Sequence, residues 1–211
     1  MGGSPSVLSH KDRLHQLDDE HSYAGTHVTW SMISDDANLC NATYAEDNEE
    51  GLQLYCQIAG KSRSSVDFEI LQVPSRNLLA LLETNHAEQT QRLAIRGGRG
   101  FRNYFMSLQH QVDAVPELGA GVHAGFLDAS RAMKEIAEPS LVDGYGLRLC
   151  GHSLGGAVAF ILALLWNKAG RRIIDAVSFC APRIGKQDLA DVVPKDLDLL
   201  RIIEVDDLVR A

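Results

Sequence analysis

Apolar residues recur at two different spacings along this chain, and the alternation between them predicts its architecture. Leu93-Ala94-Ile95 is a short β-type run that enters a flexible turn over residues 96–100. Within residues 101–109, Phe101, Tyr104, Phe105 and Leu108 fall at helical spacing, so a short amphipathic helix is expected there. A second helical pattern covers residues 125–136 and should stop near Pro139. A strand over 147–150, a helix over 154–168 and a strand over 173–180 follow, with Ala169-Gly170 as the helix stop. The last expected elements are a helix over 185–193, closed by Pro194, and a strand over 199–205. Strands and helices taking turns in this way predict βαβ units, hence a largely parallel sheet with right-handed crossovers.

Upstream, the apolar runs 78–83 and 91–95 flank a polar stretch over 84–90, the pattern of an antiparallel hairpin feeding the parallel sheet. Residues 35–44 fit one helix, and residues 1–20 lack periodicity and read as a poorly ordered acidic tail. The expected organisation is therefore this tail, an N-terminal part over 21–86 with a helix and the hairpin, and a core over 87–211. Neither an internal repeat nor an interdomain linker is visible.

Composition agrees with one globular domain: 211 residues, 45% hydrophobic and 23% charged. The net charge of −8 gives no support to a basic nucleic-acid-binding face or to attraction by an anionic membrane. All of that charge lies in residues 1–50, where Lys11 and Arg13 face ten acidic side chains. The remaining residues carry equal numbers of each sign, so the acidity does not describe the core.

Cys40, Cys56, Cys150 and Cys180 have no CxxC pair and no metal spacing with histidine, so free, mostly buried thiols are expected, with a Cys40–Cys56 bridge as the lesser alternative. Residues 149–167 lack any Asp, Glu, Lys or Arg, yet the first part of that stretch is polar and glycine-rich. Only residues 157–166 are continuously apolar, too few to span a bilayer, and they predict a helix buried in the core. No secretory h-region is visible, which leans the expectation toward the cytoplasm. Asn41-Ala42-Thr43 matches a glycosylation sequon and Met1-Gly2 with Ser6 a loose myristoylation pattern; neither adds to the reading.

Chemistry is concentrated at Gly151-His152-Ser153-Leu154-Gly155, a G-x-S-x-G set between an expected strand and an expected helix. A nucleophile on so sharp a turn has a strained backbone, and larger side chains at the flanking positions would collide with the strand and helix. This segment, continued by Gly156-Ala157, resembles the nucleophile elbow of the class 3 (fungal-type) lipases. Five further segments match that family in order. Ile95-Arg96-Gly97 resembles the F-R-G that opens its oxyanion loop, and Phe101-Arg102-Asn103-Tyr104 its lid helix. Val122-His123-Ala124-Gly125-Phe126 resembles V-H-x-G-F, and Phe179-Cys180-Ala181-Pro182-Arg183-Ile184-Gly185 resembles F-G-x-P-R-V-G. Asp207-Leu208-Val209 resembles D-I-V, although Arg210 stands where the family has proline.

The resemblance implies an α/β-hydrolase fold, with a mostly parallel central sheet flanked by helices. It makes Ser153 the nucleophile of an acyl-enzyme, with Leu154 and Gly98 as oxyanion amides. Gly98 lacks the hydroxyl of the Ser or Thr usual at that position. Asp207 is implied as the carboxylate that orients the base, with Asp206 its rival by proximity. Gly151, His152, Gly155 and His123 support the elbow, and Phe101, Tyr104 and Phe105 form a lid candidate. The implied substrate is an acyl-ester lipid, with transient contact at a lipid interface; no metal, organic cofactor, nucleic acid or transmembrane segment is expected.

In this family type the base histidine follows the acid in chain order. The eight histidines here, from His10 to His152, all precede Ser153. The expectation is a C-terminally incomplete chain, as a fragment, truncated gene model or splice form, with Ser153 only weakly reactive. A noncatalytic binding or regulatory protein that retains the elbow is the alternative. Peptidase or thioesterase chemistry fits less well because the flanking segments resemble those of lipases.

Overall fold

Alternating side chains place two apolar faces on one central sheet in the computed structural model, which describes residues 26–98 and 112–203. Six strands form it: β1 (Asp67–Val73), β2 (Leu78–Asn85), β3 (Thr90–Ile95), β6 (Gly146–His152), β7 (Ile173–Phe179) and β8 (Asp198–Ile202). They lie side by side in that order. The β1, β2 and β3 neighbours are antiparallel, whereas β3, β6, β7 and β8 run parallel. A separate antiparallel pair joins β4 (Val112–Val115) to β5 (Ala120–His123). The mostly parallel sheet flanked by helices, and the hairpin feeding it, match the expectation.

Five α-helices accompany the sheet among the described residues: α1 (Trp30–Ala42), α2 (Asn48–Ile58), α3 (Ala124–Ala137), α4 (Leu154–Lys168) and α5 (Gln187–Val192). On one face Ala80, Leu82, Leu93, Ile95, Leu147 and Leu149 pack with α3 and α4. On the other, Leu79, Leu81, Ala94, Cys150 and Val177 meet α1 and α2. Sheet strands covered on both sides read as continuous apolar runs, as β2 does. Helix α4 spans the predicted residues, and its apolar surface is buried nearly all round. Gly170 at φ 85° ends it, and the Arg171 N–H donates to the Trp166 carbonyl at 2.9 Å. Among the described residues no helix is long and apolar enough to cross a membrane.

Several boundaries move for local reasons. Helix α1 starts at Trp30 rather than near Asp35, because Thr29 caps it by accepting the Met32 N–H. The helix expected over 185–193 begins only at Gln187, since Gly185 bridges Val122 and extended Lys186 precedes the first turn. Strand β7 stops at Phe179, where Cys180 turns to φ 50°. Strand β8 is described to Ile202; the remainder of the expected strand, from residue 204, lies outside the described residues, as do the tail over 1–20 and the helix over 101–109. All four cysteines are free: Cys40, Cys56 and Cys150 are buried and Cys180 is half-buried, so the Cys40–Cys56 bridge is absent.

A row of charge crosses the α1 face of the sheet. Glu83, Arg92, Arg148, Asp175 and Asp198 are successive register partners on β2, β3, β6, β7 and β8. Asp36 of α1, 1% exposed, bridges the two central arginines, accepting from Arg92 Nη1 at 3.0 Å and Arg148 Nη2 at 3.2 Å. Lys61 and Tyr55 complete the Glu83 end, both donating to its carboxylate. These residues lie toward the N-terminal ends of the parallel strands, away from the end that carries Ser153.

Candidate active site at the elbow between β6 and α4

Ser153 is the single residue between β6 and α4, and it holds φ 54° and ψ −122°. A side chain in that left-handed region is strained, and the surrounding hydrogen bonds hold it there. The Ser153 N–H donates to the Phe179 carbonyl at 2.8 Å, tying the turn to the end of β7. Its carbonyl accepts from the N–H groups of Gly156 at 3.0 Å and Ala157 at 3.2 Å. The strand-turn-helix context read from the sequence is present.

Close approach explains the glycine after the turn. A Cβ on Gly155 would stand 2.0 Å from the Ile95 carbonyl oxygen, so α4 lies directly on the backbone of β3. Gly151 lies in β6 opposite Ile95, against the same stretch of α4. Gly155→Ala is therefore expected to lower the unfolding free energy by about 1–3 kcal/mol through overpacking. Urea unfolding at pH 7 measures this, and a variant as stable as the parent would contradict the contact.

Leu154 is buried and begins α4, so its N–H is among the first-turn amides without an intrahelical acceptor. The helix N-terminus adds partial positive charge where an oxyanion would form. On the facing side the chain leaves β3 through Arg96 and Gly97. A Cβ on Gly97 would lie 3.2 Å from Ser153 Cβ and 2.7 Å from the His152 carbonyl oxygen, which puts this loop against Ser153. Gly98, the predicted oxyanion residue, follows directly and is half-buried.

The structure brings two further predicted segments together. His123 ends β5 and its N–H donates to the Ile184 carbonyl at 2.8 Å, while Val122 bridges Gly185. Its ring stacks on Phe126 with centroids 4.3 Å apart. These contacts make the V-H-x-G-F and A-P-R-I-G segments one packed unit. Asp206, Asp207, Phe101, Tyr104 and Phe105 lie outside the described residues. Among the described residues no group of three or more His, Cys, Asp or Glu is arranged to hold a metal ion.

Sequence reasoning missed Tyr44. Its Oη accepts the Gly97 N–H at 2.9 Å and lies 2.8 Å from His152 Nδ1. Burial pushes the hydroxyl above its ordinary value, so Tyr44 is neutral at pH 7. The ring packs edge-on to His152, with centroids 5.7 Å apart. Together with Ala37, Cys40, Asn41 and Phe179 the two residues line an open cavity of about 450 Å³ beside the elbow. No local signal marks this tyrosine, which lies 108 residues from its histidine partner.

A family model described as lipase (class 3) matches residues 92–210. The chain is similar to Lipase A of Sodiomyces alcalophilus, 39% identical over 77 residues that cover 33% of this chain and 18% of that protein. It is also similar to Secreted mono- and diacylglycerol lipase 1 of Fusarium solani, 30% identical over 127 residues, covering 54% of this chain and 36% of the relative. The matched segments thus span well under half of either relative. Among solved structures, the lipase from Rhizopus microsporus var. chinensis superimposes with a TM-score of 0.72 at 19% identity, covering 92% of this chain and 74% of that one. At that identity the likeness establishes the fold.

Proposed function

The chain belongs to the class 3 lipase family, and from that premise we propose that it acts on acyl esters through a covalent intermediate on Ser153. The strained backbone of Ser153 between β6 and α4, with Gly97 against its Cβ, carries the proposal. Ser153 Oγ attacks the ester carbonyl, and the developing oxyanion takes the N–H groups of Leu154 and Gly98. The alcohol leaves with the proton lost by the serine, and water then hydrolyses the acyl-enzyme. Asp207 is read as the carboxylate that orients the base, and His152 and His123 as supporting residues. Phe101, Tyr104 and Phe105 are read as a lid that opens at a lipid interface, exposing apolar surface only there. The name of the Fusarium relative makes mono- and diacylglycerols the first substrates to test.

The direct test is a fluorophosphonate with an alkyl chain, followed by mass analysis of the peptides. An adduct is expected on Ser153 ahead of every other serine. The strained turn and the free amides at the start of α4 set Ser153 apart from the other serines. A folded protein with no adduct at Ser153 overturns the proposal and favours a binding protein that keeps the elbow.

A further inference from the structure

The Gly97 amide and the residue before the nucleophile converge on one hydroxyl, that of Tyr44. Gly97 is buried, and a Cβ there would meet Tyr44 Oη at 2.5 Å, so hydroxyl and loop are in close contact. Tyr44 follows Thr43, the C-cap of α1, and its own N–H donates to the Asn41 carbonyl at 3.0 Å, which fixes the tyrosine backbone to the helix end. A phenol has one proton to give and can accept in addition. Oη accepts from Gly97 and shares a second hydrogen bond with His152 Nδ1.

We propose that Tyr44 is a positioning residue for the reaction read above, its hydroxyl fixing the oxyanion loop and the elbow in register with each other. The inference rests on the ester-hydrolase reading. Because the Gly97 amide is committed to Tyr44, the next amide, that of Gly98, is the one left to face the developing charge. In this role Oη donates to His152 Nδ1, which assigns the ring proton to Nε2. Tyr44 touches neither the serine oxygen nor the oxyanion in this role; it acts through Gly97 and His152. A loop displaced by about 1 Å can cost about 10²-fold in rate, which sets the scale of the effect.

Tyr44→Phe removes the hydroxyl and keeps the ring that packs on His152. In the 211-residue protein, the variant is expected to lower the maximal rate of fluorophosphonate labelling at Ser153 by about 10- to 100-fold, with half-saturating probe concentration unchanged. Nitrogen NMR of His152 should show the Nε2–H tautomer in the parent and its loss in the variant, a readout that a purely packing role would not move. Equal maximal rates, or an unchanged tautomer, overturn the assignment of Tyr44. A parent that forms no adduct overturns the hydrolase reading and this inference with it. Should Tyr44→Phe not fold, His152→Asn and His152→Leu decide the matter. Asparagine places a carboxamide oxygen near the former Nδ1 and is expected to label faster than leucine; equal rates overturn the link.

Discussion

Replacing Ser153 with alanine is expected to remove the fluorophosphonate adduct altogether and to bring acyl-ester turnover down to background. In a complete triad the nucleophile carries a factor of about 10⁶ in kcat, and the background that remains without it is the acceleration of about 10³–10⁴-fold over water that oxyanion donors and binding sustain on their own. Stability provides the second half of the test. Ser153 occupies φ 54°, a backbone state that costs of order 1–3 kcal/mol for a residue with a Cβ. Alanine keeps that strain, so Ser153→Ala should unfold at the parent's urea concentration. Glycine relieves it, and Ser153→Gly should be more stable by about 1 kcal/mol while equally unreactive. A gain in stability on loss of the side chain is the mark of a conformation held for chemistry. Retention of the adduct in Ser153→Ala would move the reactive group elsewhere and remove the basis of the proposed mechanism.

What could be read from the sequence depended on whether the governing contact was local. The elbow, α4 and the two strands around it were legible because their signals are short-range: glycines at the turn, an apolar run, and Ala169-Gly170 to stop the helix. The β2–β3 hairpin was legible for the same reason. Helix α2 was not, since Gly51 interrupts its pattern and Leu54 and Ile58 remain exposed, which blurs the apolar stripe. Strand β1 was missed because it lies at the sheet edge with much of its surface exposed. At the site, Ser153, Leu154, Gly155 and Gly97 were placed by motif, whereas Tyr44 depends on a contact 108 residues away. The charged row was hidden by its own alternation. Arg92, Arg148 and Asp175 interleave with apolar strand residues and so resemble a solvated face, yet α1 covers them. Only the partner helix, which brings Asp36, explains why charges are tolerated there.

That helix-borne carboxylate is the second site where one substitution should have a large effect. Arg92 and Arg148 are direct register partners on β3 and β6, 9% and 12% exposed at their side chains, so two like charges face each other in a dry environment. Asp36 lies between them and neutralises their repulsion. Asp36→Ala removes the carboxylate between the two buried guanidinium groups, leaving them to their flanking partners, Glu83 and Asp175, and is expected to lower the unfolding free energy by about 3 kcal/mol. The effect also has a pH dependence of definite sign. Burial outweighs the two arginines and raises the Asp36 carboxyl from 3.8 to about 6 in the folded chain. Between those values the folded state holds a proton that the unfolded state has released, so this group's contribution to stability is full below 3.8 and is lost as pH rises through about 6. The alanine variant lacks that linkage. Urea unfolding of both proteins should therefore show a gap that is wider at pH 5 than at pH 7. A gap that narrows on acidification would mean that the arginines outweigh burial and hold the carboxyl below its ordinary range. No change in stability at either pH would show that α1 does not carry the counter-charge of the sheet, and Glu83 and Asp175 would then have to balance the pair from its flanks.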